Sequence, residues 1–418
     1  MIKLAKMYLT SATARDSLIM LLGAAFSTVL GFFLTVILAR GLSAIELGLI
    51  LTALTFTQLI SDMFELGINS SALNFISSAG DYEKPVFLKT TFIAKLIAAG
   101  IVGSGVFLLA LPLSQVIFRS DAMVPFIQIS SVGVAMMMFV GWEQTVFQAE
   151  KRFLLSMLLG SSINILRLLV ILAIILLGIF SPISAFTALQ IVLPVVIIVF
   201  FLRIRRNFLQ VANSNLVYRK VFGFGLPVGL GFALAAIYTK LDQILIFNLL
   251  GGAEAGIYGL AFRVMSVFLF AAAALNAAVT PRFASLHPDQ FQSYFRKTLL
   301  AAFGLGFLSA LVILAAPFIL PIIFGVKFYS SILPFQILSV GAIFFIFSSP
   351  FYTAILYKFK KTKYSLFLSL ISLALIWGLL NFLIPAYKSL GAAIAVTCVY
   401  GLQLALSVGF FVFWNRKA

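Results

Sequence analysis

Four basic side chains lie inside long apolar runs: Lys95, Arg167, Lys240 and Arg263. Four acids share that setting: Asp62, Glu65, Glu143 and Asp242. An ionisable group at membrane depth costs about 2.5–3.5 kcal/mol on insertion scales, so it is expected to face a partner or a wet cavity. Cations in a cavity suit an anionic ligand, held through charge-assisted hydrogen bonds. The acids suit pairing with those cations, or carriage of a coupling H+ or Na+.

Depth along each run sorts these groups. Asp242 lies about ten residues before the turn at Gly251-Gly252 and Arg263 about eleven after it, which at 1.5 Å per residue gives similar depth on adjacent helices. An ion pair between them is expected. Glu65 and Lys95 come within about one turn in depth across the Asp81–Lys84 loop, so pairing there competes with a cavity role for Lys95. Lys240 and Asp242 are two residues apart and face opposite sides. Arg167 and Lys240 have no acid at matching depth, since Glu143 lies nearer the basic end of its run. These two are the leading candidates for unpaired cavity cations; snorkelling or a distant acid is the alternative. Asn69, Asn74, Asn164 and Asn276 suit either sugar hydroxyls or interhelical hydrogen bonds. Tyr238 and Trp142 suit either sugar stacking or packing.

The surrounding elements must be membrane spans. The chain is 62% hydrophobic and only 10% charged, whereas a soluble domain carries about 25% charged residues. Apolar runs of about 20 residues recur along it. They are placed at 17–39, 44–68, 86–111, 124–148, 153–178, 183–203, 221–249, 253–280, 293–317, 333–357, 364–384 and 389–413. The fold class is therefore all-α and polytopic. The first run is too long for a signal-peptide core and is read as a retained helix.

The net charge of +17 does not indicate nucleic acid, because the cations sit in short clusters between spans. Alternate connections, together with both termini, hold 21 of the 29 Lys and Arg residues. The opposite connections hold only Arg40, Arg119, Lys327 and Lys388. Positive-inside reasoning puts the rich set and both termini in the cytoplasm. The single histidine, His287, makes a zinc site improbable. The single cysteine, Cys398, lies in an apolar run and is expected to be a buried small hydrophobe.

The sequence repeats internally. Shifted by about half its length, Leu22-Gly23 meets Leu230-Gly231, and Leu42, Glu46 and Gly48 meet Leu250, Glu254 and Gly256. Gln128-Ile129 meets Gln336-Ile337 at the same offset. The expected organisation is a six-helix lobe over 1–205, a basic linker over 206–220 and a second lobe over 221–418. An even number of spans per half gives parallel repeats, with the substrate site between them. Pro227, Gly229 and Pro350 are the candidate hinge residues.

Ala39-Arg40-Gly41-Leu42-Ser43, with Glu46-Leu47-Gly48, resembles the first outer turn of polysaccharide repeat-unit flippases. Asp62 to Asn69 resembles the end of their second helix, and Leu241-Asp242-Gln243 with Gly252 to Tyr258 their seventh-to-eighth turn. These are the Wzx-type members of the multidrug/oligosaccharidyl-lipid/polysaccharide superfamily. The resemblance implies two six-helix lobes around a cavity in the bacterial inner membrane. It implies alternating access for an undecaprenyl-diphosphate-linked oligosaccharide used for O-antigen, lipopolysaccharide or another surface glycan. Membrane lipids, a polysaccharide polymerase and chain-length proteins are the expected partners. No enzyme activity, cofactor or nucleic-acid partner is expected. A multidrug exporter of the same superfamily and a non-transporting scaffold are the alternatives.

Overall fold

The computed structural model describes residues 12–204, 206–212, 214–285, 288–361 and 363–415. Both termini, Arg205 and His287 lie outside the described residues. Twelve helices longer than ten residues carry the fold: α1 (Ala12–Gly41), α2 (Ala44–Met63), α3 (Ile68–Ser78), α4 (Lys84–Leu108), α5 (Val124–Ala149), α6 (Phe153–Leu176), α7 (Pro182–Phe201), α8 (Asn215–Leu250), α9 (Gly252–Ser285), α10 (Pro288–Phe324), α11 (Ile332–Thr353) and α12 (Lys363–Asn415).

Eleven of the described helical stretches are long and apolar enough to cross a membrane. The last accounts for two crossings. A straight helix of 53 residues would run about 80 Å against a hydrocarbon core of about 30 Å. Instead α12 breaks at Lys388 (φ 54°, ψ −134°). Its arms return antiparallel: the Gln403 amide donates to Ser372 Oγ over 2.9 Å, and Tyr364 and Ser407 hydroxyls lie 3.0 Å apart. The Phe367 and Phe410 rings sit 5.8 Å apart on the same two arms. The break falls between the expected eleventh and twelfth spans.

The second span departs from the sequence reading. It was expected to run unbroken to residue 68 and then give way to loop. Helix α2 stops at Met63, and Leu66 (φ 56°) and Gly67 (φ 69°) turn left-handed. Helix α3 then continues to Ser78. Its run Asn-Ser-Ser-Ala-Leu-Asn-Phe-Ile-Ser-Ser is too polar for a span by composition. It is helical because Ile68, Ser71, Ala72 and Ile76 share one buried face.

Two compact units result. One holds residues 12–34 and 53–237; its core gathers Phe92, Phe139, Trp142, Phe147 and Phe201. The other holds 35–52 and 238–415, with Phe291, Phe295, Phe351 and Phe411 packed together in a core cluster. Phe295 and Phe411 lie nearly parallel, 4.5 Å apart. The division by packing differs from the expected lobes. The segment 35–52, from the first sequence half, packs with the second unit, and the first part of α8 packs with the first. Large apolar side chains such as Leu108, Leu176 and Phe382 stay exposed, as a lipid-facing surface requires. For the same reason Cys398 is exposed rather than buried. An apolar run in a membrane span does not imply an interior position.

Candidate functional site

In the first unit Lys95 is fully buried, and its Nζ lies 3.6 Å from Glu65 Oε1. Glu65 sits at the break between α2 and α3. Its other oxygen accepts from the Gly67 N–H at 2.8 Å, and Oε1 also accepts the Asn69 N–H. Glu65 thus caps α3 and anchors Lys95 together, as expected of a positively charged group beside a helix-capping carboxylate. Lys95 is a structural cation and not one free to meet a ligand. Asn69 lies against Gly141, and its Oδ1 is buried without a hydrogen bond.

Arg167 is not unpartnered. Its Nε donates to the Leu189 carbonyl of α7 at 2.9 Å. A backbone carbonyl on the neighbouring helix supplies the partner, which a match of charges in depth does not reveal. Asn164 takes the interhelical option, donating to Ser27 Oγ at 2.5 Å. Asn74 is exposed, and Asp62 is half-buried and engaged. Trp142 is buried, with its Nε1–H donating to Thr91 Oγ1 at 3.1 Å, which makes it a packing residue. Glu143 has no exposure, and neither carboxyl oxygen has a hydrogen-bond partner among the described residues.

In the second unit Asp242 does not pair with Arg263. One Asp242 oxygen accepts the Gln243 N–H at 2.8 Å and the other accepts the Tyr258 hydroxyl. The Gln243 amide in turn donates to Thr52 Oγ1 at 2.9 Å and the Ala255 carbonyl at 3.1 Å. Tyr258 is better placed than Arg263 because Asp242 and Tyr258 are equidistant from Leu250, where the chain turns. Arg263 is left exposed, with no hydrogen bond or ion pair to its guanidinium among the described residues. It lies about 17 Å along α9 from Gly252, about half the thickness of a bilayer core of about 30 Å. Lys240 is half-buried and engaged, so it is not the free cation expected. Asn276 takes the interhelical option through its Oδ1, accepting from Ser349 Oγ at 2.7 Å and Thr353 Oγ1 at 3.2 Å. Tyr238 is half-buried.

The hinge candidates fall in two settings. Gly229 and Gly225 of α8 press on the break in the second span: a Cβ on Gly229 would lie 2.5 Å from Gly67 N, and one on Gly67 would lie 1.9 Å from Gly225 O. Pro227 stands between those two glycines. Pro350 is buried near the end of α11 and precedes a wide π turn over Ala354–Lys358. That turn absorbs the register lost at proline. Among the described residues no cluster of His, Cys, Asp or Glu could hold a metal.

Twelve long apolar crossings in two units define an all-α polytopic membrane fold. The fold matches an inward-facing multidrug transporter of the MOP superfamily with a TM-score of 0.76 at 16% identity, over 94% of this chain and 95% of that one. It also matches the lipid II flippase MurJ in an inward closed conformation, with a TM-score of 0.74 at 16% identity over 94% and 87%. By sequence, residues 13–287 match the family of polysaccharide biosynthesis proteins, and the chain belongs to that family. The capsular polysaccharide biosynthesis protein CapF of Staphylococcus aureus is 25% identical over 211 residues, covering 49% of this chain. That match spans about half, 52%, of CapF's own length.

Proposed function

We propose that this protein is a flippase that moves an undecaprenyl-diphosphate-linked oligosaccharide from the cytoplasmic to the outer leaflet by alternating access. Arg263 carries the reading. An exposed guanidinium without a partner, at mid-depth in a span, is tolerable only beside water or an anion. Its planar fork matches a diphosphate in two-point contact. Membership of the polysaccharide biosynthesis family supports a glycan carrier as the owner of that diphosphate. The basic connections support a cytoplasmic loading side. The product feeds O-antigen or another surface polysaccharide, and the membrane potential favours outward movement of the anion. Export of cationic drugs, the alternative, is disfavoured by a bare arginine.

The test is complementation of a strain lacking the protein. Arg263→Ala should lower outer-leaflet appearance of the lipid-linked repeat by about tenfold, the loss of one charge-assisted contact, at unchanged protein level. Arg263→Lys should recover part of it. Wild-type translocation by Arg263→Ala would defeat the assignment.

A further inference from the structure

Two helix ends in the second unit exchange their caps. The last carbonyls of any helix lack intrahelical donors. Arg40, at the end of α1, donates from Nε to the Ile323 carbonyl at 2.8 Å and from Nη2 to the Ile322 carbonyl at 2.5 Å. Both carbonyls belong to the last turn of α10. Lys327, just beyond α10, donates from Nζ to the Arg40 carbonyl at 3.0 Å and the Leu42 carbonyl at 2.6 Å, at the end of α1. Each cation thus sits at the negative end of the other's helix. These are two of the four cations that the opposite, poorly charged connections contain, and both are exposed.

A few residues further on, α2 and α9 cross at contact distance. A Cβ on Gly48 would lie 1.9 Å from the Gly252 carbonyl oxygen, and one on Gly256 would lie 2.0 Å from that of Ala44. Under the internal repeat Gly48 corresponds to Gly256 and Ala44 to Gly252. The two contacts are therefore the same contact seen from either repeat.

The composition of this junction suits breaking and remaking. Its cations bind carbonyls, so parting them strands no buried counter-charge and water replaces each bond. The nearby acids are otherwise engaged. Glu46 accepts the Ser43 N–H at 2.8 Å in a capping box, and Glu254 lies 4.0 Å from Lys388. Glycine at the crossing leaves flat backbone surfaces with no side chains to disentangle.

We infer that Arg40 and Lys327, with the Gly48–Gly256 crossing, form a latch that holds residues 35–52 in the second unit and must release in every transport cycle. This rests on the alternating-access reading. The latch stands on the face opposite the basic connections, so its release opens the exit side.

Cross-linking tests it. In a Cys398→Ser background, Arg40→Cys and Lys327→Cys are joined by a short, reducible bis-thiosulfonate. Cross-linked protein in proteoliposomes should translocate the lipid-linked repeat at least about tenfold more slowly, equivalent to about 1.4 kcal/mol, and reduction should restore the rate. Unchanged translocation by fully cross-linked protein would overturn the latch. If the reduced protein translocates nothing, the proposed function is in question, and labelling decides the latch separately. Val267→Cys, one turn from Arg263, is probed from outside with an impermeant maleimide. Its labelling should rise about tenfold when Arg40→Gln and Lys327→Gln are added; unchanged labelling overturns the latch.

Discussion

Glu65 holds three groups at once, the Gly67 and Asn69 amides and the Lys95 ammonium. Removing the ammonium alone leaves a carboxylate in a low-dielectric site. Lys95→Met should therefore lower stability by about 3 kcal/mol or more, measured as the unfolding midpoint in detergent. Glu65→Gln added to it should recover most of that loss, since an amide oxygen still accepts from the backbone and carries no charge. An additive double variant would show that the pair is not coupled. Glu143 presents the reverse case. With both oxygens buried and unbonded, it contributes no hydrogen bonding to the fold. Glu143→Leu should raise stability by about 1 kcal/mol. If that stable variant also loses translocation, while Glu143→Gln does too, the carboxyl carries a coupling proton. Full activity in both variants would remove Glu143 from the coupling candidates.

Glycines of apparently equal standing separate once their surroundings are known. Gly67→Ala meets a left-handed backbone and the Gly225 carbonyl, and should cost about 2 kcal/mol or more. Gly231→Ala has nothing within 4 Å and should gain a few tenths to about 1 kcal/mol of helix propensity. Comparable effects from the two would contradict the packing of α8 on the span-2 break. The sequence revealed that this region of α8 was glycine-rich and contained Pro227. It could not reveal the partner, because hydropathy locates a span but not the rotation of its faces. The same limit explains Arg263. Matching depth put it level with Asp242, but depth fixes position along a helix and not around it. Tyr258, level with Asp242, is the partner instead, and a match of charges does not include hydroxyls. Arg167 follows the same rule, since helix carbonyls do not enter a count of acids. The Lys95–Glu65 pair was legible because a short loop constrains both depth and neighbourhood. Helix α3 was not, because its burial is against protein and its composition is that of a loop.

Across the whole chain the repeat and the charge alternation are the features that sequence carries best, because each sums many weak signals. The repeat now has a physical mark: a Cβ on Gly48 would lie 1.9 Å from the Gly252 carbonyl oxygen, and one on Gly256 would lie 2.0 Å from that of Ala44. A duplication that preserves such a crossing must preserve both glycines, so Gly48→Leu and Gly256→Leu should impair folding or closure to similar degrees. The charge alternation makes a sharper demand. If the basic connections are cytoplasmic, then the turns at Gly178, Gly251 and Lys388 face outward, while those at Lys151 and Lys360 face inward. The break at Lys388 matters most here. Read as one helix, α12 would move the C-terminus to the opposite side; read as a hairpin, it returns it. A phosphatase that is active only outside the cytoplasm, fused after residue 388, should be active, and fused after residue 415 should be silent. Activity at both positions would mean that α12 crosses once, and would invert the side assigned to every cation beyond it.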